Sequence, residues 1–270
     1  LKNSDLEVTI FLLTTEKGAP SFGGYQVIEV PTLAATETMK KIAQHADSDF
    51  VLYYSKYTTL EFGYFALDRM VRLAEDTQAG MLYADHYQVT GTDRKNAPVI
   101  DYQKGSLRDD FNFGSVLLFN SADFKEAATR LSGNYNAAGL YDLRLKLSQK
   151  RELVHINEYL YAEVEKDTRK SGEKIFDYVD PRNRAAQIEM EEACTSHLKD
   201  INGYLEPKFK QIEFNANNFE FEASVIIPVR NRIKTVKDAI ASVLKQKTNF
   251  KFNLIIIDNH STDGTTAAID

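Results

Sequence analysis

At 270 residues, with 43% apolar and 11% aromatic content, the chain can bury one large core or two small ones. A formal net charge of −6 argues against a nucleic-acid surface, and no Lys/Arg run is long enough for a polybasic membrane anchor. A single cysteine, Cys194, excludes an internal disulfide framework and a multi-cysteine metal site. The five histidines (His45, His86, His155, His197 and His260) show no metal-ligand spacing, so no metal site is expected. Apolar runs fall far short of the ~20 residues that cross a bilayer, so no transmembrane segment is expected.

In chain order, Val8–Leu13 and Tyr25–Val30 are expected as strands. Only eleven residues separate Leu13 from Tyr25, which suffices for a parallel crossover but not for a full helix. Met39, Ile42, Ala43 and Ala46 mark one helical face, and Phe50–Tyr54 reads as a buried strand. Leu67, Met70, Val71 and Ala74 give the next helix. Gly80 leads into the strand Met81–Ala84, with Asp85 and His86 at its end. Val99–Tyr102 and Val116–Phe119 suggest further strands, Ser121 can cap a helix containing Phe124 and Ala127, and Tyr141–Leu147 is helical. This rhythm predicts an α/β fold, a mostly parallel sheet flanked by helices.

Asp180-Pro181 is a helix start, with aspartate able to cap and proline at the first helical position. Ala185, Ile188, Cys194, Leu198, Ile201 and Leu205 keep helical spacing, so 171–218 is expected as a connecting helix packed on the first unit and, at Asn215–Asn218, a hinge. Cys194 reads as a small apolar contact on that helix. Beyond it, Ser224–Val229 is an apolar, β-branched run, as in a strand buried on both faces of a parallel sheet. Val236, Ile240, Val243 and Leu244 form one helical stripe. Leu254–Ile257 is a second buried strand, and Asp258–Thr265 makes a polar loop at its carboxyl end, the edge where open α/β sheets bind ligands.

The pair "SVIIPVRNR" and "LIIIDNHSTDGT", joined by one amphipathic helix, resembles the opening of family 2 glycosyltransferases of the GT-A, Rossmann-like fold. The resemblance implies that Pro228, Val229 and Arg230 pack on the base of a nucleotide sugar and that Asp258 hydrogen-bonds it. An ionised carboxylate is suited to accept from a uracil or guanine ring N–H. Arg230 replaces the family's usual aromatic, and Asn259 its second acidic residue. The alternative is that Asp258 merely starts a turn while Thr262 or Asp263 caps a helix.

A weaker resemblance runs from Val27 to Lys166. "DFVLYYSKYTTLEFGYFALDRMVRLAEDTQAGMLYADHY" is similar to the family's aspartate-rich strand end, helix and following strand. The metal-holding Asp-x-Asp, however, aligns with Ser55-Lys56-Tyr57. "NFGSVLLFNSADF" and "AGLYDLRLKL" look like its acceptor-side elements, but Gly139 and Leu140 stand where the acidic pair with the general base belongs, and only Asp142 survives. Two readings follow: residues 1–170 are a degenerate GT-A-like unit ahead of a second unit at 219–270, or Lys56 has replaced the metal and neutralises the diphosphate as a point charge. Lys56, Asp85 and His86 are the candidate cleft residues.

The resemblance implies glycosyl transfer, with inversion, from a nucleotide-sugar donor to a carbohydrate or other acceptor. It implies a cytoplasmic or membrane-peripheral protein of polysaccharide biosynthesis. With the start at Leu1 and the stop at Asp270, the chain reads as a piece of a longer enzyme whose base and Mg or Mn ligands lie elsewhere. The competing class is a non-catalytic carbohydrate- or nucleotide-binding or assembly module. Because a lone β-α-β element buries too little surface, Ser224–Asp270 is expected to join the sheet of residues 1–170, within one chain or exchanged in a homodimer.

Overall fold

A computed structural model describes residues 4–18, 23–165, 184–212 and 219–269, the side chain of 165 excepted. The Asp180-Pro181 helix start and the Asn215–Asn218 hinge lie outside the described residues. The chain divides into two units, Leu1–Leu205 and Glu206–Asp270. Among the described residues no helix is long and apolar enough to cross a membrane.

In the first unit the chain runs through β1 (Phe11–Thr14), β2 (Gln26–Glu29), α1 (Thr36–His45), β3 (Phe50–Tyr54), β4 (Thr59–Phe62) and α2 (Ala66–Thr77). It continues with β5 (Met81–Thr90), β6 (Asp93–Ala97), β7 (Val116–Asn120), α3 (Ser121–Thr129), α4 (Gly139–Ser148), β8 (Leu153–Glu165) and α5 (Arg184–Asp200). β1 and β2 form a parallel pair, Phe11 opposite Gln26. The other six strands form one sheet in the order β3-β7-β5-β8-β4, with β6 also on β5.

The expected α/β alternation is present, with helices flanking the sheet. The large sheet is mixed, not mostly parallel: β5 and β8 run parallel, while β3–β7, β5–β7, β5–β6 and β4–β8 are antiparallel. A parallel neighbour needs a long crossover, and the two-residue turn at Gly91-Thr92 between β5 and β6 permits only a hairpin. Met81–Ala84 is buried on both faces. Met81 and Tyr83 pack with Met39, Phe119, Phe124 and Leu143 on one side; Leu82 and Ala84 pack with Met70, Leu118 and Ile156 on the other. Burial on two faces is why this stretch lacks the apolar-polar alternation of a half-exposed strand.

Several local expectations are corrected. β5 does not end at Ala84, so Asp85 and His86 lie inside the strand. Val99–Tyr102 is not a strand, because side chains of β5 take its backbone groups: Val99 N–H donates to Asp85 Oδ1 (2.8 Å), Tyr83 Oη donates to the Ile100 carbonyl (2.8 Å), and Tyr102 N–H donates to Tyr83 Oη (2.7 Å). The cap of α3 is Asn120, whose Oδ1 accepts from Asp123 N–H at 3.1 Å, and Ser121 is the first helical residue.

α5 lies on α4, and its buried stripe is Met190, Ala193, Cys194 and His197, at i, i+3, i+4 and i+7; Ile188, Ile201 and Leu205 stay exposed. Glu189 fixes this contact by accepting from the backbone N–H groups of Asn136, Ala137 and Ala138 at 3.1, 2.6 and 3.2 Å, just ahead of α4. These donors have no partner in the helix ladder, and a carboxylate also opposes the positive end of the helix dipole.

The second unit contains β9 (Ala223–Val229), α6 (Val236–Leu244), β10 (Phe252–Asp258) and α7 (Thr265–Ile269). β9 and β10 pair in parallel, Leu254 opposite Val225 through Asp258 opposite Val229. Among the described residues they pair with each other and with no other strand. Nor are the strands buried on both faces as their composition suggests. Val225, Ile227 and Ile256 are at least partly covered, whereas Ile226, Ile255 and Ile257 are 58%, 40% and 52% exposed.

Glu189→Ala removes three charge-assisted hydrogen bonds and should destabilise the first unit by about 1.5–3 kcal/mol, read as a lower urea midpoint at unchanged m-value.

Candidate functional site

The polar residues of the second unit converge where β9 and β10 end side by side. Asp258 is opposite Val229 in the register, and Asn259 N–H donates to the Val229 carbonyl at 2.9 Å, so the loops at 230–235 and 259–264 leave the sheet together. Hydrogen bonds lace them to one another and to Thr265, the first residue of the helix that follows. Asn231 N–H donates to Ser261 Oγ (2.9 Å), Thr262 N–H to Asn231 Oδ1 (2.8 Å), Arg232 N–H to Thr265 Oγ1 (2.8 Å) and Ile233 N–H to Asp263 Oδ2 (3.1 Å). Asn231 and His260 adopt left-handed backbone, with φ of 54° and 53°. Asparagine tolerates that region better than most residues; His260 carries a conformation uncommon outside glycine.

Within this frame Asp258 Oδ1 accepts from Ser261 N–H (3.2 Å) and Ser261 Oγ (2.5 Å), and Oδ2 accepts from the Thr266 hydroxyl. The Ser261 hydroxyl, then the Thr266 hydroxyl, holds the carboxyl below its ordinary range. The group is therefore ionised and oriented. A carboxylate has about four acceptor directions, and with three occupied one remains for an incoming donor. Pro228 and Arg230, at the end of the neighbouring strand, are exposed, whereas Val229, opposite Asp258 in the register, is buried. Asp263 does what the capping alternative describes: Oδ1 accepts from Thr265 N–H at 3.0 Å and from its hydroxyl. Asp258 starts a turn, as the same alternative describes, by accepting from Ser261 N–H, and by the same count each carboxylate keeps one acceptor direction; Asp258 differs in closing β10 at the carboxyl edge of the strand pair.

In the first unit the candidate cleft residues Asp85 and His86 turn inward, while Lys56 stays exposed and reaches a buried carboxylate. Glu163, fully buried on β8, pairs through Oε2 with the Lys56 ammonium and accepts from the Ser115 hydroxyl at Oε1. His86 Nε2 lies 3.5 Å from Glu163 Oε1, its ring stacks on Tyr161 at 5.1 Å, and Nδ1 has no partner among the described residues. Asp85 Oδ1 meets His155 Nε2 at 2.9 Å, and His155 Nδ1 meets Asp101 at 2.7 Å. Asp85 and His86 are 2% and 3% exposed, so neither faces a cleft.

The charge that Lys56 would offer a diphosphate is already matched by Glu163; moving it away would leave a buried carboxylate unpaired. A divalent cation does not fit here either. An ammonium stands where the resemblance would set a ligand carboxylate, and among the described residues no three His, Cys, Asp or Glu side chains are grouped to hold a metal.

The position expected for a base is closed by packing. A Cβ on Gly139 would lie 2.2 Å from Thr36 N and 2.4 Å from Ala35 C, so no acidic side chain can be accommodated without moving backbone. Asp142 is fully buried and accepts from Ser132 N–H (2.6 Å) and Oγ (2.9 Å). Burial raises its pKa, against the lowering effect of those hydrogen bonds, and no acceptor hydroxyl can reach it.

Sequence reasoning missed Glu163, Ser115 and Tyr161. The available signal was a lone carboxylate on a buried phase of the otherwise apolar and aromatic run Tyr159–Val164. Compared with known proteins, residues 224–270 match the model of Glycosyl transferase family 2, as expected of a family 2 glycosyltransferase fragment. The match begins inside β9 and spans both laced loops. No curated protein matches the chain.

His86 titrates against its surroundings: burial lowers its pKa from the ordinary 6.5, opposed by Glu163 and Asp85 and reinforced by Lys56. The unfolded chain thus binds a proton that the folded chain resists, so this contribution to stability is present above pH 6.5 and lost as pH falls through it. Urea unfolding across that range should show falling stability toward acid. His86→Phe should flatten the slope, leaving the part contributed by His197, whose pKa burial also lowers.

Proposed function

We propose that the loops after β9 and β10 form the base-binding side of a nucleotide-sugar site in an inverting glycosyltransferase, and that residues 1–170 are a GT-A-like unit without catalytic groups of its own. The observation that carries the first statement is Asp258: an ionised, oriented carboxylate with one unfilled acceptor direction, at the carboxyl edge of a parallel strand pair, inside the segment that matches the family. A uracil or guanine ring N–H is the donor that such a group recognises, and Arg230 and Pro228 lie exposed at the end of the neighbouring strand. Glycosyl transfer in general is supported by the family match. Inversion, the identity of the base and the role of Arg230 are this proposal's own.

The second statement rests on two packing facts: Lys56 is neutralised by Glu163 where metal carboxylates would stand, and the Gly139 backbone contact occupies the position of a base. Proton abstraction from an acceptor needs a carboxylate or histidine within hydrogen-bond reach of solvent-borne substrate, and Asp142 is sealed.

Calorimetry with UDP and GDP tests the donor site. One of them should bind, and Asp258→Ala should weaken it by about tenfold or more; unchanged affinity would remove Asp258 from the site. The purified chain should also show no manganese-stimulated donor hydrolysis or transfer, and robust metal-dependent turnover would overturn the account of residues 1–170.

A further inference from the structure

A cleft of about 730 Å³ opens in the first unit between the β4–α2 connection, the β5–β6 hairpin and β8, away from the Lys56–Glu163 pair. Its aromatic lining is unusual. Tyr159 lies on Tyr87 with ring centroids 4.8 Å apart, and the Arg94 guanidinium covers Tyr87 at 3.6 Å. Both faces of Tyr87 are therefore occupied, which holds Tyr159 in place as a fixed platform. From the β4–α2 connection Tyr64 and Phe65 project into solvent at 84% and 64% exposure, and Phe65 has a φ of 53°, uncommon for a bulky side chain. Asp68 lines the same cleft: Oδ1 accepts from Ser4 Oγ at 3.0 Å, while Oδ2 is buried without a partner among the described residues. A buried carboxylate oxygen without a donor is costly, and a donor delivered through the cleft removes that cost.

We propose that this cleft binds a neutral oligosaccharide. A pyranose ring has a flat face of C–H bonds that packs on an aromatic ring, with hydroxyls at its rim that both donate and accept; Tyr159, Tyr64 and Phe65 match the face, and Asp68, Glu61 and Arg94 match the rim. The volume is in the range of small-ligand sites. Charge selects among ligands that stack on aromatics: Glu61 and Asp68 outnumber the one guanidinium, which already lies on Tyr87, so a phosphate-bearing nucleotide or an anionic glycan is repelled.

The test is a printed array of neutral and anionic glycans probed with the labelled full chain, followed by saturation-transfer NMR on the strongest neutral hit. Neutral oligosaccharides should bind, and Tyr159→Ala and Tyr64→Ala should each weaken binding by about fivefold or more. Tyr64 is so exposed that its variant reports on the ligand and not on folding. Asp258→Ala should leave glycan binding unchanged, so this proposal and the nucleotide assignment fail separately. Absence of any neutral hit, binding of anionic glycans alone, or affinity that survives both tyrosine substitutions would overturn it.

Discussion

The first unit depends on burying one strand from two sides. Met81–Ala84 alternates its side chains between two cores, one formed with α1, α3 and α4 and the other with α2, and β8 runs parallel beside it along nearly its whole length. A strand in that position cannot turn a polar residue toward water until it leaves the double layer. The pairing of β5 with β8 shifts register at Ala84/Asp85 and again at Asp85/His86, where apolar letters give way to polar ones. Such bulges re-aim side chains. Here Asp85 meets His155, and His86 stacks on Tyr161 beside Glu163.

The two units treat their polar residues in opposite ways. In the first, charge is turned inward and matched: Glu163 by Lys56 and Ser115, Asp142 by Ser132, and Lys146 by Asp200 of α5. Groups so enclosed hold elements together and are poorly placed to meet a substrate. In the second, Asp258, Asn231, Ser261 and Asp263 lie at an exposed edge, where they bind one another into a frame and leave one acceptor direction open. That contrast favours ligand chemistry at the 224–270 loops and a scaffolding role for the buried network. The aromatic cleft is the exception in the first unit, since Tyr64 and Phe65 are exposed and one carboxylate oxygen lacks a partner among the described residues.

Much of this was legible in the chain itself. Phe50–Tyr54 needed only its apolar run, and the β9–α6–β10–α7 order of the last segment needed the run, the stripe and the polar loop. The polar loop that holds Asp258 could be singled out because it closes an apolar parallel strand at a predictable edge. The role of Asp258, and the expectation that Lys56 and Gly139 stand in place of carboxylates, come from the resemblance to the family. The edge rests on local composition and spacing; the residue roles rest on the resemblance.

What the sequence could not determine was which face of each element finds a partner. The spacing along α5 pointed to Ala185, Ile188, Cys194, Leu198, Ile201 and Leu205; contact with α4 covers Cys194 as expected, but its other partners are Met190, Ala193 and His197. Val99–Tyr102 has strand composition, but Tyr83 and Asp85 take its backbone hydrogen bonds before another strand can. Glu163 is one letter in a strand until Lys56 and Ser115, far off in sequence, close around it. The sequence by itself determined most of the helices, the apolar strands and the polar edge, because periodicity and side-chain chemistry are local. Only the tertiary structure decided the strand order, the fate of each charge and the aromatic cleft, because these depend on contacts between segments whose separation no local pattern encodes.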